Sequence, residues 1–263
     1  MTILEELKEF LRSISRWAYS LLGFFVFFIS FGLKEVFIFG KYYFLPVLSQ
    51  NSFSVQIFKK IQSDFLPPNV HLVVTNPTSA FVSQILISLL LAFIITFPLF
   101  LYKIMQYLSP ALLKREKQLI FKSLLPSIVL FFTGCAFAYY FLIPTTFAIL
   151  YPYAFLIGAV PFFSVNEFIS SVLGLMIVAG LMFLLPLFMF LLTFMGFVKS
   201  SVWRDKWRHA LLFFLILSAI ITPDGTGITM MILFVPFSLL YFAGYILTKR
   251  LDKNKINVYS ESN

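Results

Sequence analysis

Long apolar stretches bounded by basic residues set the pattern of this chain. Arg16 and Lys34 enclose one stretch free of Lys and Arg, WAYSLLGFFVFFISFGL. Lys60 and Lys103 enclose a longer one, Lys122 and Lys199 a third, and Arg208 and Lys249 a fourth. A helix needs about 20 apolar residues to cross the hydrocarbon core of a bilayer. The first stretch therefore holds one span, and the second an outer loop plus one span. The third holds two, with a break around Pro144, Pro152, Gly158 and Pro161. The fourth holds two short ones, broken at Thr222-Pro223-Asp224-Gly225-Thr226-Gly227. The pattern predicts a single integral-membrane domain over 1–263, all-α, with six transmembrane helices at 17–38, 79–103, 121–143, 167–195, 208–222 and 228–248. Residues 249–263 are polar and predict a frayed cytoplasmic tail. The first segment reads as a retained span and not a cleaved signal peptide. Its flank mixes Glu5, Glu6 and Glu9 with Lys8, Arg12 and Arg16, and no small-residue cleavage site precedes Lys34. No internal repeat supports an inverted-repeat transporter.

Composition agrees. Only 12% of the 263 residues are charged and 60% are hydrophobic, against roughly 25% charged in a soluble domain. Too few polar side chains remain to cover a soluble globule. That excludes a soluble enzyme, a disordered tail and a nucleic-acid-binding domain, in spite of the net charge of +9. The single cysteine, Cys135, excludes an intrachain disulfide framework and a Cys-based zinc site.

The basic excess instead orients the chain. Six spans put Lys8, Arg12 and Arg16, the loop from Lys103 to Lys122, the loop from Lys199 to Arg208, and Lys249 to Lys255 on one side. Of the 20 basic residues, only Lys34, Lys41, Lys59 and Lys60 fall on the other. The positive-inside rule gives N-in and C-in.

Two geometric features follow. Fifteen residues lie between Arg208 and Asp224, about 22 Å of helix at 1.5 Å per residue, which is short for a core of about 30 Å. Pro98, Pro126, Pro186 and Pro236 lie within spans, where proline removes a donor and bends its helix. Bent helices predict a curved wall with a concave face, although simple tolerance of proline in membrane helices explains these positions as well.

Few acids lie near the bilayer: Glu35, Glu116, Glu167 and Asp224. An acid there is a functional candidate by default. Glu116, among Lys114, Arg115 and Lys117, has two readings: charge balance on a solvated loop, or a carboxylate offered to a cationic partner. Asp224 suits a cap for the sixth span, and Glu167 a helix N-terminus. Gln84, inside the second span, is expected to pack against or hydrogen-bond to a neighbouring helix. No catalytic motif is present, and His71 and His209 both lie outside mid-span. Neither an enzyme nor a cofactor or metal site is expected.

Four motifs in order resemble the TatC family, the multispanning receptor subunit of the twin-arginine protein translocase. They are ILEELKEFL at 3–11; Pro98-Leu-Phe-Leu-Tyr102 with Tyr107-Leu-Ser-Pro110-Ala-Leu112 and Glu116-Lys117; Gly134-Cys-Ala-Phe-Ala-Tyr139-Tyr-Phe-Leu-Ile-Pro144; and Ile221-Thr222-Pro223-Asp224. The resemblance covers about residues 3–248. It implies binding of twin-arginine signal peptides and, with TatA- and TatB-type single-span partners in an oligomeric complex, proton-motive-force-driven transport of folded proteins across the bacterial cytoplasmic membrane. An organellar inner membrane is the lesser alternative. It implies a cytoplasmic signal-peptide site of Glu6, Lys8, Tyr107, Pro110 and Glu116, in which Glu6 and Glu116 meet the two arginines, Tyr107 stands where the family usually has phenylalanine, and Pro110 shapes the loop. Asp224 matches the family's acid in an outer turn.

Three positions depart from the family pattern. Lys8 replaces an arginine, Leu184 a glutamate and Ile228 a glutamine. Leu184 and Ile228, with Thr222, mark the expected docking face for partner helices. The rival reading, a secondary transporter or channel for a small solute, is disfavoured by the missing mid-span charges.

Overall fold

The computed structural model describes residues 3–38, 41–67, 70–108, 114–156, 162–222 and 227–261. Most of these are helical. α1 (Ile3–Ser30) leads into a hairpin of β1 (Phe31–Ile38) and β2 (Lys41–Leu48), then α2 (Phe53–Phe65), β3 (His71–Val73) and α3 (Ser79–Leu108). α4 (Lys114–Phe137) continues through one π-helical turn, Ala138–Leu142, into α5 (Ile143–Leu156). β4 (Phe162–Ser164), α6 (Val165–Phe183), α7 (Leu185–Phe194), α8 (Ser200–Asp205), α9 (Trp207–Ile221) and α10 (Gly227–Glu261) follow.

Among the described residues, four helical stretches can cross a membrane by length and composition: Ser79–Tyr107, Lys117–Pro152, Val165–Phe194 and Gly227–Leu251. Two apolar helices are shorter, Ile14–Ser30 and Trp207–Ile221. These six stretches coincide in order with the six expected segments, with four differences.

The first segment stops at Ser30 instead of 38. Phe31–Ile38 pairs antiparallel with Lys41–Leu48, from Phe31 opposite Leu48 to Ile38 opposite Lys41. Aromatic and β-branched residues favour the extended pairing over further helix. The chain is therefore not wholly α-helical.

The break expected at Pro144 is a change of helix type. A proline ring clashes with the carbonyl four residues back, here that of Tyr140, and the π turn at Ala138–Leu142 widens the ladder around it. Helix then persists through Pro152 to Leu156. The fourth segment, expected whole, is interrupted at Leu184, two residues before Pro186. Leu184 N–H bonds Leu181 O at 3.1 Å, a tighter turn that bypasses the lost donor. Finally, α10 runs to Glu261, so the tail expected to fray is helical.

The chain packs as two compact units, Met1–Pro110 with Tyr151–Leu173, and Ala111–Leu150 with Gly174–Asn263. In the first, α1 and α3 run antiparallel, with Ile87, Ala92 and Phe97 of α3 fully buried. Phe27, tilted, and Phe28, edge-on, both near the end of α1, pack around Phe53 at the start of α2. Gln84 Nε2 donates to Ser52 Oγ at 3.0 Å, and Ser52 Oγ lies 2.8 Å from Ser54 Oγ. Gln84 thus bonds a neighbouring element, as expected of it. Gln56 Nε2 donates to Leu33 O and Asn51 O, both at 3.0 Å, fixing the hairpin base to α2. β3 and β4 pair in parallel, His71 opposite Phe162.

In the second unit, α4 and α6 meet at glycines. A Cβ on Gly134 would lie 2.6 Å from Ala179 O, and one on Gly180 2.7 Å from the Phe131 ring. Only residues without a side chain permit this approach. Cys135 is buried there, its thiol 3.7 Å from Met176 O. Phe214 of α9 packs edge-on against Phe237 and Tyr241 of α10. α7 ends in a Schellman turn: Gly196, at φ 81°, donates to Thr193 O, and Phe197 N–H to Leu192 O.

Candidate functional site

The expected site begins on α1. Glu5 and Glu6 lie in or beside its first turn, where the helix dipole favours acids. Further along, Trp17 joins α1 to α3. Its indole Nε1 donates to Thr96 Oγ1 at 3.2 Å. Its ring meets Phe100 at 4.7 Å and Phe93, edge-on, at 6.4 Å. Thr96 is buried and its own hydroxyl donates to Ala92 O at 2.7 Å.

This joint fixes register. Glu6 stands eleven residues before Trp17, and Tyr107 eleven residues after Thr96. Eleven residues are about three turns, or about 16 Å. Glu6 and Tyr107 therefore fall at one level of the antiparallel pair. Tyr107 is half-buried in the last turn of α3. Near it, Lys103 donates to Gln106 Oε1 at 3.3 Å and its ammonium lies 5.7 Å from the Tyr102 ring centroid.

Glu116 is the third residue of α4, nine residues beyond Tyr107 along the chain. The side chains of Glu6, Lys8 and Glu116 lie outside the described residues, as do Pro110 and Asp224 entirely. Thr222 caps α9 from within: it is buried, and both its N–H and its hydroxyl donate to Ser218 O at 3.0 Å. Leu184 is half-buried at the α6–α7 break, and Ile228, second in α10, is exposed. Among the described residues, no group of three or more His, Cys, Asp or Glu is placed to hold a metal. The Trp17–Thr96 joint went unnoticed in the sequence; its only signal there is the three-turn spacing from Glu6 to the first tryptophan.

Residues 3–236 match the family described as Sec-independent protein translocase protein (TatC). The chain belongs to the TatC family. A TatC protein of Cenarchaeum symbiosum (strain A) is 33% identical over 87% of both chains. One of Aquifex aeolicus (strain VF5) is 31% identical over 77% of this chain and 85% of its own. The fold agrees. A crystal structure of the twin arginine translocase receptor TatC superposes with a TM-score of 0.76, at 26% identity, over 93% of this chain and 98% of the other. As a TatC-family chain with apolar spanning helices, this is an integral membrane protein of the Tat protein-transport system, a family of translocase subunits and not of enzymes.

Proposed function

We propose that this TatC-family chain is a receptor for twin-arginine signal peptides, with Glu6 at the start of α1, Tyr107 at the end of α3 and Glu116 at the start of α4 as contacts. The observation that carries this reading is the Trp17–Thr96 joint, which puts Glu6 and Tyr107 at one level of the α1–α3 pair, with Glu116 opening the next helix. Two carboxylates accept two guanidinium groups through charge-assisted, bidentate bonds, which a lysine pair matches poorly. Tyr107 offers a half-buried ring beside them, and Pro110 shapes the connection. Lys8, at the position where the family has an arginine, belongs to the same peptide-binding set.

In this reading all six apolar helices span the bacterial cytoplasmic membrane with both termini inside, as the distribution of Lys and Arg supports. Bent helices form a concave wall for the apolar part of the signal peptide. TatA- and TatB-type helices dock along Leu184 and Ile228, with Thr222 acting by ending α9, and Asp224 serves in the outer turn. Transport of folded cargo then runs on the proton-motive force within an oligomeric complex.

The test is photocrosslinking of a twin-arginine signal peptide to the full chain in membranes. Glu116→Ala is expected to abolish the crosslink while the protein remains inserted, and Glu6→Ala to weaken it. Unchanged crosslinking to Glu116→Ala would reject the site.

A further inference from the structure

The second unit holds a crevice that signal-peptide binding does not use. Trp203, Arg204, Trp207, Tyr241, Phe242 and Tyr245 line a pocket of about 300 Å³, at the lower end of the range for small-ligand sites. Its walls are fixed. Trp203 Nε1 donates to Thr193 Oγ1 at 3.0 Å. Tyr241 hydroxyl donates to Trp203 O, and Tyr241 is 3% exposed. Trp207 packs against Phe242 at 6.4 Å.

The crevice sits where two apolar helices end together. α9 starts at Trp207, and α10 passes Tyr241 and Tyr245 before reaching Lys249 and Arg250. Trp and Tyr gather at the level of lipid headgroups. The charge there is one-sided: Lys199, Arg204, Lys206 and Arg208 stand beside a single acid, Asp205. Asp205 engages Arg204 through Nε, at 3.1 Å, with both side chains more than 60% exposed, so the pair is weak and the outer edge of the guanidinium faces solvent. Arg208 lies over the Trp207 ring at 5.5 Å.

We infer that this crevice holds one anionic phospholipid. The phosphate meets Arg204 and Arg208, while the glycerol and upper acyl chain lie against Trp203, Trp207 and Phe242. Guanidinium forks match phosphate oxygens, and the flat aromatic walls suit the apolar part. The basic side of the chain, on which these residues fall, is the one that faces an anionic cytoplasmic leaflet.

The chain has three tryptophans, and Trp17→Phe leaves the two of the crevice as reporters. That protein is reconstituted in vesicles of fixed phosphatidylglycerol to phosphatidylcholine ratio. Bromine, which quenches tryptophan on contact, is carried high on the acyl chains of one lipid or of the other, so surface charge is constant. Phosphatidylglycerol is expected to be enriched at the crevice about fivefold per well-placed basic side chain, giving stronger quenching when it carries the bromine. Arg204→Gln reduces the preference, and Arg204→Gln with Arg208→Gln abolishes it. Arg12→Gln with Arg16→Gln leaves it intact. Equal quenching by the two lipids would overturn the inference. So would a preference that survives loss of both Arg204 and Arg208, or one that Arg12→Gln with Arg16→Gln removes equally, since that is a diffuse charge effect.

Discussion

The α1–α3 and α4–α6 pairs join helices in opposite ways. α1 and α3 meet through bulk: Trp17 reaches across to Phe93, Phe100 and Thr96. α4 and α6 meet through absence: Gly134 and Gly180 let one backbone approach the other. Apolar burial drives little between helices in lipid, where dispersion and close fit dominate. A contact built from large side chains has rotamers with which to adjust. A contact built from backbone has none. The adjustable pair is the one that carries Glu6 and Tyr107, where a ligand is proposed to bind; the rigid pair carries Glu116 and Glu167 only in the first turns of α4 and α6, thirteen or more residues from the glycine contact.

The sharpest way to break this contrast is one methyl group. Gly134→Ala places a Cβ 2.6 Å from the Ala179 carbonyl oxygen and 2.9 Å from Gly180 Cα. Alanine favours helix over glycine by roughly 0.5–1 kcal/mol, but overpacking against atoms that cannot rotate away costs more. A net destabilisation of about 2 kcal/mol is expected, read as a lower unfolding midpoint in detergent. An unchanged midpoint would show that α4 and α6 slide freely and remove the contrast.

Trp17→Ala tests the other pair. Its loss is one of packing, about 1–2 kcal/mol for a half-buried ring facing lipid. Thr96 keeps a partner, because its hydroxyl still donates to Ala92 O. The variant should also bind a twin-arginine peptide more weakly, since the register of Glu6 against Tyr107 depends on the joint. Full peptide affinity with lowered stability would separate the joint from the site.

How far these features were legible in the sequence follows from the range of the forces involved. Spans announce themselves locally: runs of apolar residues between basic ones located six helical stretches, and Gln84 was expected to bond a neighbour because a polar amide in a span has no water. Phe31–Ile38 was misread since a short apolar run fits helix or strand equally well; the choice falls to its pairing with Lys41–Leu48, which no local pattern reveals. Pro144 signalled a disturbance, but whether a helix breaks or widens depends on what packs around it. Pairings such as Trp17 with Thr96, 79 residues apart, are set only by the assembled fold. Glu6 and Glu116 stood out through family resemblance, because acids among basic residues look locally like any solvated helix end.

The smallest effect isolates the hydrogen bond within the aromatic joint. Thr96→Val keeps the volume and removes the acceptor for Trp17 Nε1; Trp17→Phe keeps a ring and removes the donor. Side-chain hydrogen bonds between membrane helices average about 0.6 kcal/mol in such cycles. The coupling in the Trp17→Phe, Thr96→Val cycle is expected near that value, well below the cost of Gly134→Ala. The tilted packing of ring 17 on Phe100, at 4.7 Å, should survive in Trp17→Phe. A coupling of about 2 kcal/mol or more, beyond the largest values seen for such pairs, would mean that the bond and not the rings holds α1 to α3. The joint would then be as unyielding as the glycine contact, and the proposed division between an adjustable and a rigid pair would fail.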